Sequence, residues 1–283
     1  MGIIVEHAAR SFGDVHAVRD ATFIARPGEV TALVGPNGSG KTTLLLMLAS
    51  LLAPDTGRIL IEGRDPMTDP LGVRAVTGWM PDILGSWGTL TARETLTLTG
   101  RLYGMPNAAA QSRAAELLGL VDLDELADRP TKVLSRGQKQ RLSLARALVH
   151  DPRVLLLDEP ASGLDPAARV HLRTMLRGFA DEGRTILVSS HILSELEEMA
   201  DTAVFMDAGT TVSDERVAAA KSSERAWRYT TVDGRTETVM IAGGEPDAAA
   251  VLAGLIRDGV QVVTFAPAVG DLEHTFLDLE AGR

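Results

Sequence analysis

Apolar positions follow three different rhythms along the chain, and each predicts a different kind of structure. Up to residue 62 they come in short runs. Ile3–Glu6, Ala17–Val18, Thr22–Ala25, Glu29–Val34 and Ile59–Glu62 read as strands, and Phe12-Gly13-Asp14 and Pro27-Gly28 as the turns between them. Thr43–Leu52 interrupts this with helix formers and stops before Pro54. Between residues 85 and 150 the spacing becomes helical. Thr91 and Glu94 have capping-box spacing and open a helix carrying Leu96, Leu98, Leu102 and Tyr103, which Gly104 and Pro106 end. Ala108–Leu118 and Asp122–Ala127 read as two more helices. Ser135–Val149 reads as a fourth, with Leu142, Ala145, Leu148 and Val149 at helical spacing.

From residue 153 strands and helices alternate. Val154–Asp158 is an apolar strand ending in acids. Asp165 caps a helix with Pro166 at its first position and Leu172, Met175, Leu176 and Phe179 on one face. Thr185–Ser189, Ile192–Met199 and Ala203–Met206 continue as strand, helix, strand. Such alternation predicts a parallel sheet covered on both faces. Beyond residue 221, Trp227–Val232 and Thr236–Ala242 flank Asp233-Gly234, a hairpin signal. Pro246–Arg257, Val260–Phe265 and Leu272–Glu280 then read as helix, strand, helix. The expected organisation is a main α/β domain over 1–220 with a helical insert at about 85–150, and a small α+β accessory domain over 221–283.

Composition narrows the function. A hydrophobic fraction of 45% with 23% charged residues is that of an ordinary globular protein. The net charge of −10 argues against nucleic acid or an anionic membrane surface as partner. With no cysteine, disulfides, thiolate zinc sites and thiol chemistry are excluded. The N-terminal residues lack a signal-peptide pattern, and the longest apolar run, residues 43–53, is too short to span a bilayer. Any work at a membrane would therefore go through another protein.

Two stretches carry chemistry. Residues 35–42, GPNGSGKT, match G-x-x-x-x-G-K-[ST] at every fixed position and lie between a predicted strand and a predicted helix. Gly35, Gly38 and Gly40 let the loop wrap a phosphate with its N–H groups pointing inward, and the helix start adds a partial positive charge. Gly35, Pro36, Asn37, Gly38, Ser39, Gly40, Lys41, Thr42 and Thr43 are the candidate nucleotide-binding residues, with Lys41 reaching the β- and γ-phosphates and Thr42 offering its hydroxyl to Mg²⁺. The second stretch is Val154–Pro160, which places Asp158 and Glu159 at the end of a buried strand, where ligands of α/β sheets bind. Asp158 is a candidate Mg²⁺ ligand, and Glu159, pointing another way, a candidate base that polarises water.

Three further stretches bring in a resemblance. Leu134-Ser135-Arg136-Gly137-Gln138 resembles the signature sequence of ATP-binding cassette (ABC) ATPases, Ala161–Pro166 with Asp165 their D-loop, and Ser190-His191 their switch histidine. With the two phosphate-site motifs these stand in family order over about residues 3–215. The resemblance implies a P-loop NTPase (RecA-like) core with N-terminal antiparallel strands and a helical subdomain. It implies that ATP and Mg²⁺ bind, that two subunits, as a homodimer or heterodimer, pair head to tail, and that each ATP lies between one subunit's phosphate loop and the other's signature. His191 would contact the γ-phosphate beside Glu159, and Phe12 would stack on adenine. A separate transmembrane permease would be the partner, with the chain peripheral on the cytoplasmic face of the membrane.

Two positions depart from the family. Asp82 stands where a glutamine is usual, in Gly78-Trp79-Met80-Pro81-Asp82, and as an anion it can bind Mg²⁺ or water but cannot donate a hydrogen bond. Arg136 replaces a common glycine; it can approach the partner's γ-phosphate or face solvent, and solvent is the expectation. Asp271–Leu279 resembles the C-terminal segment of ATP subunits of ABC-2-type exporters. The rival readings are a soluble ABC ATPase acting on ribosomes or nucleic acid, against which the acidic charge and single cassette argue, and an inactive or regulatory cassette, for which only Asp82 speaks.

Overall fold

The computed structural model describes residues 1–82, 85 and 88–281. Two compact units divide the chain: Met1–Ile192 with Glu198–Thr211, and Leu193–Glu197 with the chain from Val212 on.

In chain order the elements up to the second unit's main segment are β1 (Ile3–Phe12), β2 (Val15–Ala25), β3 (Val30–Val34), α1 (Lys41–Leu48), β4 (Thr56–Ile61), α2 (Pro70–Val76), β5 (Thr77–Met80), α3 (Ala92–Leu102), α4 (Asn107–Leu120), α5 (Arg136–Leu148), β6 (Val154–Asp158), α6 (Pro166–Asp181), β7 (Thr185–Ser189), α7 (Leu193–Met199), β8 (Thr202–Asp207) and β9 (Thr210–Thr211). Among the described residues nine strands form one sheet in the order β4-β1-β2-β9-β8-β3-β7-β6-β5. The run β8-β3-β7-β6-β5 is parallel. β3, β6 and β7 are buried at every position, so both faces are covered, which their uninterrupted apolar sequences require. The other side is mixed: β1 pairs antiparallel with both β2 and β4, and β9 antiparallel with β8 and parallel with β2.

The N-terminal strands are longer than their apolar runs. β2 is continuous across the two fragments expected at 17–18 and 22–25, because pairing with β1 carries it through the polar positions between them. α1 starts two residues early, at Lys41, and ends at Leu48; Ser50 takes φ 55° just beyond it. α3 has the full capping box of Thr91 and Glu94. The helix expected at 122–127 is only a 3-10 turn over Asp124–Leu126, since Asp122 (φ 53°) reverses the chain after α4. α2 and β5 escaped the hydrophobic pattern because each is very short.

The second unit holds α8 (Asp214–Lys221), β10 (Arg225–Thr231), β11 (Thr236–Ile241), α9 (Glu245–Arg257), β12 (Val262–Pro267) and α10 (Asp271–Ala281). Its three-stranded sheet runs β11-β10-β12, with the hairpin at Asp233-Gly234 joining β10 to β11. Trp227, Ile241 and Ala248 form its small core, with Trp227 stacked on Phe265 at 5.1 Å. α8, unassigned by the hydrophobic pattern, packs with α10.

In the first unit His150, just past α5, joins the helical insert to β5. Its Nε2–H donates to Thr77 O at 3.0 Å and its ring stacks on Tyr103 with centroids 3.8 Å apart. Burial holds its pKa below the ordinary 6.5, against the Thr77 hydrogen bond and Asp151, which pull it up. A depressed folded pKa means the unfolded chain takes the proton first, so this histidine costs stability as pH falls below 6.5. His150→Gln should therefore lose less of its urea midpoint than the parent between about pH 7.5 and about pH 5.5; an equal loss would assign the acid sensitivity elsewhere.

Candidate active site

The parallel order of the central strands builds the site. β7 lies between β3 and β6, and its last residue, Ser189, pairs with Leu33 on one side and Asp158 on the other. The ends of β3 and β6 are thus held two strands apart, with the phosphate loop leaving one and the acids leaving the other.

The loop from Gly35 runs into α1 through Gly40, whose φ of 101° and position 2.3 Å (for an added Cβ) from Ala17 O leave room for glycine alone. That approach sets the loop against β2. The first N–H groups of α1 have no intrahelical acceptor, which makes the helix start a ready anion site. Lys41 is buried, and its Nζ donates to Gly35 O at 2.6 Å and Pro36 O at 3.0 Å. Burial lowers its pKa, while Glu159 and Asp158 favour its charged form.

Asp158 is 3% exposed and both its oxygens are engaged: Thr42 Oγ1 donates to one at 2.9 Å and Ser189 Oγ to the other at 2.5 Å. The hydroxyl of the phosphate loop and the carboxylate of β6 therefore share one locus. This pair is the donor set for a hard cation with oxygen ligands.

Glu159 leaves the strand in a left-handed turn, φ 53°, a strained conformation for a non-glycine residue. Its peptide is pinned on both sides. The N–H donates to Ser189 O at 3.1 Å and Ser189 Oγ at 3.2 Å, and the carbonyl accepts from Gln140 Nε2 at 2.7 Å and Ser162 N at 3.1 Å. The turn aims the side chain away from Asp158 and toward His191, whose Nδ1 lies 2.7 Å from Glu159 Oε2. A carboxylate oxygen accepts, so Nδ1 carries the proton of this contact and Nε2 is left for another partner. Glu159 is partly covered, with its side chain 16% exposed, and His191 is open, at 57%.

The remaining candidates lie around this centre. Phe12, at the end of β1, is half exposed under the Arg10 guanidinium and is not a core aromatic. Ser135 caps α5 in a capping box: its Oγ accepts from Gln138 N at 3.2 Å, and Gln138 Oε1 accepts from Ser135 N at 2.8 Å. Ser135 N–H is thereby used up, and the open donors are its hydroxyl and the N–H groups of Arg136 and Gly137. Leu134 is buried beneath the cap. Asp165 caps α6, accepting from Ala168 N at 2.9 Å. Arg136 is exposed as expected but is not merely solvated: its Nη2 donates to Ser162 Oγ at 2.7 Å. Asp82 is exposed just past β5, with no hydrogen bond to any described residue.

Sequence reasoning missed Ser189 and Gln140. Gln140 was visible as a polar residue in line with Leu144 and Leu148 on the apolar stripe of α5. Ser189 gave no signal, since its role comes from strand order.

A parallel sheet with a phosphate loop at the end of one strand and paired acids two strands away defines a P-loop nucleotide-hydrolysing protein. A family profile described as "ABC transporter" matches residues 18–162. The sulfate/thiosulfate import ATP-binding protein CysA of Thermosynechococcus vestitus is 41% identical over 210 residues, 74% of this chain and 62% of that one, so the chain spans less than two thirds of its length. Nod factor export ATP-binding protein I of Burkholderia lata is 39% identical over 205 residues, 72% of this chain and 67% of that one. A solved ATP-binding subunit of an ABC transporter superposes with TM-score 0.70 at 27% identity, covering 77% of this chain and 92% of that one. The fold also matches a dimeric bacterial ABC transporter cassette, TM-score 0.70 at 24% identity, covering 75% and 97%. The chain belongs to the ABC transporter family, as an ATP-binding, ATP-hydrolysing subunit.

Ser189→Ala would strip one donor from the buried Asp158 and one acceptor from Glu159 N–H. The expected result is a stability loss of about 1–3 kcal/mol in urea unfolding together with a fall in ATP turnover. Unchanged turnover would show that Asp158 and Glu159 hold their places without it.

Proposed function

We propose that the chain works as one of two paired cassettes that drive substrate through a separate membrane permease, in the direction of export. The observation that carries the hydrolytic part is the contact of Glu159 with His191 beside the Asp158–Thr42 pair. In this reading ATP phosphates lie in the loop of residues 35–43, taking over Lys41 Nζ from the carbonyls of Gly35 and Pro36. Phe12 stacks on the adenine. Mg²⁺ is held by Thr42 and Asp158 and supplies charge neutralisation of the phosphates. Glu159 accepts the proton of the attacking water, and His191 orients Glu159 through Nδ1 while Nε2 faces the γ-phosphate. The partner's ATP is met by the hydroxyl of Ser135 and the N–H groups of Arg136 and Gly137, an anion site at the start of a long helix.

Two chains complete two such sites, and the dimeric cassette of the same fold supports this pairing. No helix among the described residues is long and apolar enough to cross a membrane. In this reading the permease is a separate chain, with the cassette on the cytoplasmic face. Export follows from the exporter-like segment Asp271–Leu279 and from the Nod factor relative, although the import relative shares as much of the cassette. Asp82 is a water or Mg²⁺ contact that replaces a donor by an acceptor.

The Glu159→Gln chain should bind ATP, pair and turn over about 10²-fold or more slowly. Purified with ATP in mild detergent, it should bring down a membrane protein with several spans. Recovery of ribosomes without one would favour the soluble alternative. Asp82→Asn should keep ATP turnover within about three-fold of the parent, whereas a loss of ten-fold or more would make Asp82 essential.

A further inference from the structure

We infer that Arg136 is a positioning residue for ATP hydrolysis: its side chain clasps Ser162 and Gly163, so that the start of α5 and the loop from Glu159 to Asp165 move as one body. The inference rests on the paired reading above, because it is to the partner's nucleotide that this body is offered.

Arg136 and Gln140 are one turn apart on α5 and share a face. Both reach the same loop. Arg136 Nη2 donates to Ser162 Oγ at 2.7 Å, and Gln140 Nε2 donates to Glu159 O at 2.7 Å. The two anchor points on the loop are themselves joined, since Ser162 N donates to Glu159 O at 3.1 Å. The arginine stem lies over Gly163: a Cβ there would stand 2.9 Å from Arg136 Cδ and 3.0 Å from Cγ. Gly163 also has φ 75°, which suits glycine. On the helix side, a Cβ on Gly137 would stand 3.0 Å from Gly163 O. Two glycines thus let helix and loop approach closely enough for the guanidinium to bridge them.

Stability does not explain this arginine. It sits in the first turn of α5, where the helix dipole disfavours a cation. Its hydrogen-bond partner is a neutral hydroxyl, and no ion pair to a described residue offsets the cost. An arginine at a mildly unfavourable place, bound to the loop that carries the proposed catalytic glutamate, is placed for what it holds.

The test is a double-mutant cycle in the full chain with Arg136→Ala, Ser162→Ala and both together, reading kcat, KM, affinity for a fluorescent ATP analogue and thermal midpoint. Each single change should lower kcat by roughly three- to ten-fold, with analogue affinity and midpoint near the parent values, because the chain's own phosphate loop is untouched. The double variant should be no slower than the worse single one. Arg136→Lys, which keeps a cationic donor group, should recover part of kcat. Effects that multiply in the double variant, or an unchanged kcat in Arg136→Ala, would overturn the clasp. ATP-dependent pairing of the Glu159→Gln chain, measured by size-exclusion chromatography, separates the two ideas. Pairing with multiplying effects removes the clasp alone; coupled effects without pairing keep the clasp and remove the paired site.

Discussion

Ser189 is the residue on which the site's geometry turns. It occupies the last position of a strand flanked by β3 and β6, and its hydroxyl binds Asp158 while both its oxygens take the N–H of Glu159. Three parallel strands in fixed register therefore decide where the phosphate loop and the two acids stand relative to one another. A one-residue slip of β7 would turn this side chain to the opposite face and leave a buried carboxylate short of a donor. The same register explains why Thr42 meets Asp158 although 116 residues separate them.

The charges of the site are balanced over short distances. Lys41 is buried against loop carbonyls, with the two carboxylates sustaining its charge against the cost of burial. Glu159 is held in a turn its backbone would not adopt alone, and strain of about 1–3 kcal/mol is typical for such a residue. The four hydrogen bonds to its peptide keep it there. The outcome is two adjacent carboxylates with separate partners, one facing the loop hydroxyl and one facing a histidine.

Much of this was legible in the chain itself, because the motifs are local. The phosphate loop needs its glycines in sequence, Asp158 and Glu159 end an apolar run, and Ser135 and Thr91 announce their helices through capping-box spacing. What stayed hidden depends on neighbours far along the chain. β1 and β2 extend past their apolar residues because pairing supplies the missing order. Asp122–Ala127 has helix-forming composition but begins with a residue of positive φ, Asp122, which the pattern does not reveal. Arg136 read as a solvated residue because its acceptor, Ser162, lies 26 positions away.

In the proposed pair of cassettes, Gln140 would join two duties that belong to different ATP molecules. It stands on the helix whose first turn carries Ser135, about 7.5 Å away along the axis, and it grips the carbonyl of Glu159. In a pair of cassettes, a nucleotide pressing on that helix end from the partner would bear on the chain's own water-polarising group through a single buried amide. By reciprocity, whatever the glutamate's turn does on binding or losing its own nucleotide must act with equal free energy on the affinity for the partner's. Two ATP sites joined in this way cannot be thermodynamically independent, and cooperativity between them would be a property of one side chain's reach.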